Sequence, residues 1–284
     1  MPENYSGGSA DIGDLVSLQF KAPRPTWFEA SADVQYLETD NMFLTERRTQ
    51  DADELISTVQ AALTPPPYAI AGGSFAPRIG YRHQWYNFGL DGKSLDTLAT
   101  IKLRSYDFNA STAFLDLDWT REDWIYGIGF DFTRLLAAQS CNEFYREYVP
   151  RWGVERIFAL NPTSTLVVGY DGDYRVSDLQ NPFLLVSSDY NDRTDHSLFA
   201  TWTQTFGQHL VLQPNYRFKF THFTTGPNRD DYLNSVGVTL YWFFTPQINA
   251  RVFASYDNRL SSGTGISDYE SFSAGAGLNL TFRF

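Results

Sequence analysis

The 284-residue sequence lacks any long hydrophobic run. No segment approaches the ~20 consecutive apolar residues that a membrane-spanning helix requires. Helical periodicity is also nearly absent, which favours one all-β body over a helical domain. Cysteine is almost missing, because Cys141 is the only one in the chain. The sequence therefore excludes an internal disulfide and a thiolate metal cluster.

Basic residues are in the minority. The chain has 22 Lys and Arg against 33 Asp and Glu, and its formal net charge is −11. A strongly acidic chain is repelled by the phosphates of nucleic acids and by anionic lipid headgroups. We therefore expect neither nucleic acid nor an anionic membrane surface as a partner.

The sequence does contain a regular alternation of apolar and polar residues, together with many aromatic side chains, including 17 Tyr and 23 Phe. Alternation with a period of two gives a β-strand one apolar and one polar face. Twelve such segments follow one another: Phe28–Tyr36, Leu55–Leu63, Ile79–Trp85, Ala113–Trp119, Trp124–Thr133, Tyr148–Phe158, Leu166–Arg175, Leu198–Trp202, Leu210–Phe220, Val236–Trp242, Ile248–Tyr256 and Phe272–Phe284. Their lengths are near the ~9–11 residues with which a tilted strand crosses a bilayer.

The connections between these segments alternate between short and long. Tight turns follow the fourth, sixth, eighth and tenth segments: Arg121–Asp123, Asn161–Thr163, Gly207–Gln208 and Thr245–Gln247. The links on the other side are long and polar: Glu38–Asp53, Leu135–Glu143, Ser177–Asp195, Thr224–Asp231 and Arg259–Glu270. Outer-membrane barrels have short periplasmic turns and longer extracellular loops, so the pattern predicts periplasmic chain ends. The link Thr64–Pro77 is long, although its place between the second and third segments puts it on the side of the short turns. We expect it to pack under the barrel as a partial plug.

Tryptophan residues collect near the predicted strand ends. Four of them lie beside the presumed periplasmic turns: Trp27, Trp119, Trp124 and Trp242. Trp85 lies near the opposite rim. Amphipathic rings gather at both interfaces of a membrane, where they form two girdles. A soluble β-sandwich remains the alternative, but it gives no reason to sort tryptophan in this way.

Two stretches resemble known outer-membrane proteins. The last segment, with apolar residues at alternate positions and a final aromatic residue, resembles the C-terminal strand of bacterial outer-membrane β-barrels. This resemblance implies that Phe284, Phe282 and Leu280 form the signal that the insertion machinery recognises. The first hairpin resembles that of β-barrel porins of Gram-negative bacteria in the following segments: Asp33–Tyr36, Glu38–Asn41, Phe43–Thr45 and Asp53–Ile56. Such barrels occur alone or in export systems for polysaccharide or lipoprotein, and the resemblance defines no catalytic residue.

These patterns predict a transmembrane antiparallel β-barrel of about 12 strands over residues 27–284, in the bacterial outer membrane. Residues 1–26 show no alternation, and we expect them to form a periplasmic N-terminal tail. The expected partners are outer-membrane lipid, the insertion machinery and a periplasmic protein that binds through residues 1–26. No secretory signal peptide begins at Met1, so we interpret the numbering as that of a mature or recombinant form.

The sequence offers residues of catalytic types without a catalytic arrangement. Asp195, His196 and Ser197 supply the residue types of a hydrolase triad, but neighbours on a strand point to opposite faces. Asp116 and Asp118 would share one face roughly 7 Å apart, yet Asp118 adjoins a predicted periplasmic turn instead of the outer rim. We therefore predict no catalytic residue, cofactor or metal site. Aspartates expected in outer loops could bind divalent cations, although acidic loops are usually only solvated: Asp189, Asp192, Asp195, Asp230 and Asp231.

The same alternation assigns charged residues to the inside of the barrel. The inward register contains Arg78, Arg82, Asp116, Asp118, Asp131, Asp171, Asp173, Arg217, Lys219 and Arg251, and also Arg283. We expect the basic residues to occupy one arc of the wall and the acidic ones the opposite arc. Glu29, Asp33, Arg151 and Arg175 blur this division. A transverse field of this kind admits small polar or zwitterionic solutes better than apolar ones.

The sequence therefore predicts a narrow, passive, porin-like channel for ions or small polar solutes. One alternative is a barrel that serves as conduit or anchor in an export or assembly complex for polysaccharide or lipoprotein. An outer-membrane hydrolase is a third and weaker alternative. The inward charges could instead pair across a closed lumen and hold a plug, because twelve strands enclose little space.

Overall fold

A computed structural model describes residues 27–42, 44, 50–92, 94, 102–180, 189–225, 228–263 and 268–284. Within these residues the chain forms thirteen β-strands and a short 3₁₀ helix, Leu103–Tyr106. The strands are β1 (Phe28–Thr39), β2 (Ala52–Leu63), β3 (Tyr68–Ile70), β4 (Gly73–Phe88), β5 (Phe108–Arg121), β6 (Trp124–Ala137), β7 (Glu143–Asn161), β8 (Ser164–Leu179), β9 (Arg193–Phe206), β10 (Leu210–Phe223), β11 (Asp230–Phe243), β12 (Ile248–Ser261) and β13 (Tyr269–Arg283). No helix among the described residues combines the length and the apolar character that crossing a membrane requires.

All strands except the short β3 close into one antiparallel barrel. Each long strand pairs with the next one along the chain, and β2 pairs with β4. The two ends of the chain close the barrel, because β1 pairs with β13 from Glu29↔Arg283 to Thr39↔Ser273. Beyond these strands, the amide of Phe284 still donates to the carbonyl of Phe28 over 2.9 Å. The predicted fold class is confirmed, since each of the predicted segments coincides with one long strand.

The two ends of the barrel differ in the length of their connections. One end, the turn side, carries the short connections 122–123, 162–163, 207–209 and 244–247, together with both ends of the barrel chain. The opposite end, the loop side, carries links that include 40–51, 89–107 and 180–192. The predicted short turns are confirmed. Residues 1–26, the expected periplasmic tail, lie outside the described residues.

The segment 64–77 contains an extra strand instead of a plug. The stagger of the barrel ends the pairing of β2 with β4 at Leu63↔Ile79, so the first residues of β4 lack β2 as a neighbour. Prolines 65–67 cannot donate ladder hydrogen bonds, so β2 stops before them. The chain then resumes pairing as β3, for example at Tyr68↔Phe75. All of β3 is exposed, and the expectation of a partial plug here is wrong.

The barrel is apolar on its outside. Outward-facing Ile128 and Leu198 are 59% and 57% exposed. Other members of this belt are Val34, Ile79, Val168, Val236, Val252 and Leu278. In a soluble protein such side chains would be mostly buried, whereas hydrocarbon solvates a continuous apolar belt around a closed barrel. The exterior therefore excludes a soluble sandwich.

The tryptophan side chains follow the predicted placement with one exception. Those near the short turns face outward at the turn side: Trp27, Trp119, Trp124 and Trp242. Trp152 lies in the middle of β7 instead, opposite Gly172 of β8. A Cβ on Gly172 would lie 2.6 Å from Cε2 of Trp152, so the glycine leaves the space that the indole ring occupies.

Candidate functional site: the charged interior of the barrel

The strand registers place every predicted lumen residue on the inward face. Arg78 lies opposite Asp116, and Asp173 lies opposite Arg151. The other predicted lumen residues alternate along their strands with the exposed apolar residues of the belt, so their side chains point inward. They are Arg82, Asp118, Asp131, Asp171, Arg217, Lys219 and Arg251. Whether these residues set the selectivity of a channel stays a prediction, but their position inside the barrel is a fact of the fold.

Charges on the turn-side half of the wall form a connected chain. We name it the turn-side ladder, and its members are Arg283, Glu29, Arg78, Asp116, Arg151 and Asp131. Glu29 accepts hydrogen bonds from Nε of Arg283 and Nη2 of Arg78, each over 2.9 Å. Asp116 accepts from Nη1 of Arg78 over 3.5 Å and also from Arg151. The ladder thus links the two strands at which the barrel closes to the middle of the chain.

A glycine allows one ion pair of the turn-side ladder to span three strands. Gly129 of β6 lies between Asp116 on β5 and Arg151 on β7. A Cβ on Gly129 would lie 2.9 Å from Cζ of Arg151, in the path of the guanidinium group. The missing side chain therefore lets Arg151 lie across β6 and reach the carboxylate of Asp116. Arg151 also donates to Asp131 over 3.2 Å.

The same arrangement recurs at the closure of the barrel. Arg251 of β12 lies across Gly277 of β13, where a Cβ would be 3.1 Å from Cζ of the arginine. The guanidinium group donates to both carboxylate oxygens of Asp33 on β1, over 2.6 and 2.9 Å. It also donates to Oε1 of Gln35 over 2.8 Å. Inward glycines thus give long side chains room to form bonds across strands.

A second group of charges lies toward the loop side. We name it the loop-side cluster, and it consists of Glu147, Asp173, Arg175, Arg193, Asp195 and Lys219. Arg175 contacts three carboxylates: Asp173 over 3.0 Å, Asp195 over 3.2 Å and Glu147 over 3.4 Å. Nε of Arg193 lies 3.4 Å from Asp195. Cations and carboxylates alternate within the cluster, so it carries little net charge.

The most exposed inward charges lie in the turn-side ladder and the most buried ones in the loop-side cluster. The groups overlap between these extremes, since Glu29 and Asp116 of the ladder are 14% and 15% exposed and Arg175 and Asp173 of the cluster 16% and 19%. In the turn-side ladder, the side chains of Arg151 and Arg78 are 40% and 32% exposed although they point into the barrel. In the loop-side cluster, Arg193 and Asp195 are 2% and 3% exposed. The guanidinium groups of Arg151 and Arg78 thus border solvent-accessible space inside the barrel, whereas Arg193 and Asp195 are enclosed by protein.

A small apolar cluster lies at the loop-side end of the barrel wall. Met42 and Leu103, from the links 40–51 and 89–107, pack against Ala52 and Phe88 at the strand ends. The carboxylate of Asp107 accepts a hydrogen bond from the amide of Phe88 over 2.8 Å. Burial raises the pKa of the Asp107 carboxyl above its usual value, although this hydrogen bond and a nearby arginine act in the opposite direction. These contacts tie Met42, Leu103 and Asp107 to the loop-side ends of β2 and β4.

The charges are interleaved around the wall. Arg78 pairs with Asp116 on the adjacent strand, and Arg251 pairs with Asp33. Arg175 lies within the expected acidic arc and contacts three carboxylates there. Side-by-side pairs cancel much of the field that separate arcs would create. The strand order keeps the predicted basic residues on β4, β10, β12 and β13 and the acidic ones on β5 to β8. The pairs weaken the expected transverse field, whose effect on solutes stays a prediction.

The sequence pattern misses part of the loop-side cluster. It places Asp195 in an outer loop because apolar alternation on β9 becomes visible only at Leu198, whereas β9 begins at Arg193. Arg193 and Asp195 continue the inward register of β9 by further steps of two, and this spacing is the signal that could have found them. Asp231 is likewise bound by an arginine, since Nε of Arg229 donates to it over 2.9 Å.

The residue types of a hydrolase triad, Asp195, His196 and Ser197, point to different faces of β9. His196 faces outward, and its Nδ1 lies 2.7 Å from the hydroxyl of Tyr170. Asp195 and Ser197 face inward, opposite Asp173 and Asp171. The three triad residue types therefore do not converge. Within the described part of the chain, no group of three or more His, Cys, Asp or Glu residues is placed to hold a metal ion.

The residues of the predicted insertion signal lie at the closure of the barrel. Phe282 and Phe284 face outward, are 44% and 69% exposed, and have their ring centroids 6.3 Å apart. Leu280 lies on the same face, opposite Ala32 of β1. The terminal aromatic pair is thus presented to the surroundings, and its recognition by the insertion machinery stays a prediction.

No protein-family model and no curated protein matches this chain. Among solved structures, an outer-membrane channel from Pseudomonas putida F1 is similar, with a TM-score of 0.54, 12% identity and coverage of 94% of this chain and 100% of that one. A bacterial polysaccharide outer-membrane secretin has a TM-score of 0.51 and 10% identity, and the match covers 90% of this chain and 98% of that one. The KdgM porin in complex with disordered oligogalacturonate is a weaker match, with a TM-score of 0.44, 11% identity and coverage of 89% and 99%. At these identities the likeness establishes the fold, which is that of outer-membrane β-barrels.

Proposed function

We propose that this protein is a narrow passive channel of the bacterial outer membrane for ions and small polar solutes, with the turn side in the periplasm. The observation that carries this proposal is the water-exposed turn-side ladder inside a barrel whose exterior is apolar. An unsolvated charge in a low-dielectric interior is costly. Arg151 and Arg78 keep much of their exposure although they are paired, which supports a hydrated lumen over a solid core.

The two groups of charges have different roles in this proposal. A solute entering from the turn side exchanges water for hydrogen bonds with the turn-side ladder, which offers both guanidinium donors and carboxylate acceptors. It then meets the loop-side cluster, where charges of both signs lie close together. Such a lining discriminates by polarity and size more than by the sign of the charge. Binding groups of both signs suit small zwitterionic solutes and ion pairs.

Neutralising inward cations tests the charged lining. The variant with Arg217→Gln, Lys219→Gln and Arg251→Gln should conduct and should shift toward cation preference, because the carboxylates remain. The readout is the reversal potential of bilayer-inserted protein in a KCl gradient. Arg134→Gln removes a charge from the outer face of the barrel. This control should leave the reversal potential unchanged. The same reversal potential in parent and triple variant would contradict the proposed lining.

The export or assembly component is the second candidate, and one observation favours it. Met42, Leu103, Ala52 and Phe88 pack together at the loop side, and Arg193 and Asp195 of the loop-side cluster are buried. A barrel that serves mainly as an anchor would be closed in this way. The secretin of similar fold does not decide between the candidates, since a fold is shared by proteins with different functions. Correctly folded protein without conductance would favour this second candidate.

A further inference from the structure

Two arginines flank a tryptophan on the outer face of the barrel at the turn side. Arg121 of β5 lies opposite Trp124 of β6, and Trp124 lies opposite Arg156 of β7. Partners in register share one face of a sheet, so the three side chains form a row. We name them the outer arginine row. All three are exposed.

The guanidinium group of Arg156 is held by aromatic rings. Its Cζ lies 5.2 Å from the ring centroid of Trp124 and 4.8 Å from that of Phe158. The ring of Trp124 in turn stacks on Tyr126 with 6.3 Å between centroids. Cation–π contacts of this kind orient an arginine while they leave its N–H donors unused.

The outer arginine row has no acidic partner within the described residues, because neither Arg121 nor Arg156 forms an ion pair with a carboxylate there. The other outward arginine pair, Arg134 and Arg146 at the loop side, behaves differently. Arg134 pairs with Glu143, and Arg146 lies 3.0 Å from Glu143 and 3.2 Å from Asp178. Carboxylates therefore neutralise Arg134 and Arg146 at the loop side. Within the described residues, the guanidinium groups of the outer arginine row are left to bind an anion from outside the protein.

We propose that the outer arginine row binds the phosphodiester of a membrane phospholipid in the leaflet at the turn side. This inference rests on the proposed membrane location of the barrel. Aromatic side chains lie at the headgroup level of a bilayer, and arginine binds phosphate oxygens with two parallel hydrogen bonds. The site attracts phosphate locally although the whole chain is acidic.

The surroundings of the row favour a lipid over free phosphate. Tyr126 and Ile128 of β6 and Trp152 of β7 lie on the same outward face, further from the turn side than the row. They are exposed apolar side chains that acyl chains extending toward the bilayer centre can contact. Glu122 and Asp123 form the exposed turn next to Arg121. These carboxylates repel a free phosphate dianion more strongly than a singly charged diester. A phospholipid thus satisfies both the charges and the apolar surface.

The test is a titration of detergent-solubilised protein with phosphatidylglycerol, followed by native mass spectrometry. We expect the parent to retain bound lipid and R121Q/R156Q to bind at least about tenfold more weakly, since charge-assisted hydrogen bonds to phosphate are lost. The matched control R134Q/R146Q removes the same charge from the same outer face and should bind within about twofold of the parent. If the double variant does not fold, R156Q alone is compared with R146Q, and the same order is expected.

Two results would overturn the proposal. One is equal retention of phosphatidylglycerol by the parent and R121Q/R156Q. The other is displacement of the lipid by inorganic phosphate at millimolar concentration, which would indicate an anion site without lipid specificity. Both outcomes are independent of conductance, so failure of this site and failure of the channel proposal are distinguishable.

Discussion

At the scale of single residues, the interior is built from large side chains that lie over glycines of a neighbouring strand. Phe253 lies over Gly275, and Phe114 lies over Gly80, where a Cβ would be 2.6 and 2.4 Å from the rings. Period-two alternation predicts that such glycines face inward. It cannot predict which side chain fills the space, because that depends on the stagger between strands.

This packing predicts the effect of a side chain at Gly275. A Cβ there would lie 2.3 Å from the carbonyl oxygen of Tyr36 and 2.6 Å from Cζ of Phe253. We therefore expect Gly275→Val to destabilise the barrel by ~1–3 kcal/mol through overpacking. Ala276→Val changes the next, outward-facing residue and should stay within ~0.5 kcal/mol of the parent. The urea midpoint of unfolding from lipid vesicles measures both, and equal midpoints for the two variants would show that the space over Gly275 is not filled.

At the scale of elements, alternation identifies every long strand because the lipid-facing residues are apolar and their neighbours polar or small. It fails at the loop-side ends, where the outward residues become polar as well. On β9, Thr194 and His196 face outward beside inward Arg193 and Asp195, so no contrast marks the start of the strand. Pairing between non-adjacent strands, as in the turn-side ladder, is also invisible to a pattern along one strand.

The last strand carries a prediction about assembly. Phe284 is hydrogen-bonded to the start of β1: its amide donates to the carbonyl of Phe28, and its carbonyl accepts from the amide of Trp27 over 2.6 Å. Because the terminal aromatic residue is the proposed recognition signal, Phe284→Asp should lower the yield of folded barrel in cells severalfold. Phe244→Asp makes the same change at an exposed phenylalanine beside a turn and should have a smaller effect. The fraction of heat-modifiable protein on gels measures the yield, and equal losses in both variants would refute a special role for the terminus.

At the scale of the whole molecule, orientation follows from the asymmetry of the connections. The chain offers a direct probe, since its single cysteine, Cys141, is exposed in the β6–β7 link on the loop side. We expect a membrane-impermeant maleimide to label Cys141 on intact cells. The variant with Cys141→Ser and Asp123→Cys places the thiol in a turn-side connection and should react only after the outer membrane is permeabilised. Labelling in the reverse order would invert the topology.

The whole fold could be predicted from the sequence to the level of strand number and direction, because a closed barrel imposes one repeating rule on each strand. The state of the lumen could not, since it depends on how side chains from different strands meet. The interleaved pairs of Arg78 with Asp116 and of Arg251 with Asp33 illustrate this. Each partner is visible in the sequence, and only the register brings the partners together.

Conductance across a planar bilayer tests the central claim most directly. The purified, heat-modifiable barrel should produce discrete current steps, because the proposed channel requires a water-filled path from the turn-side ladder past the loop-side cluster. Each step should be small, since twelve strands enclose little space. A complete absence of steps from correctly folded and inserted protein would contradict the channel and leave an anchor or export component in its place.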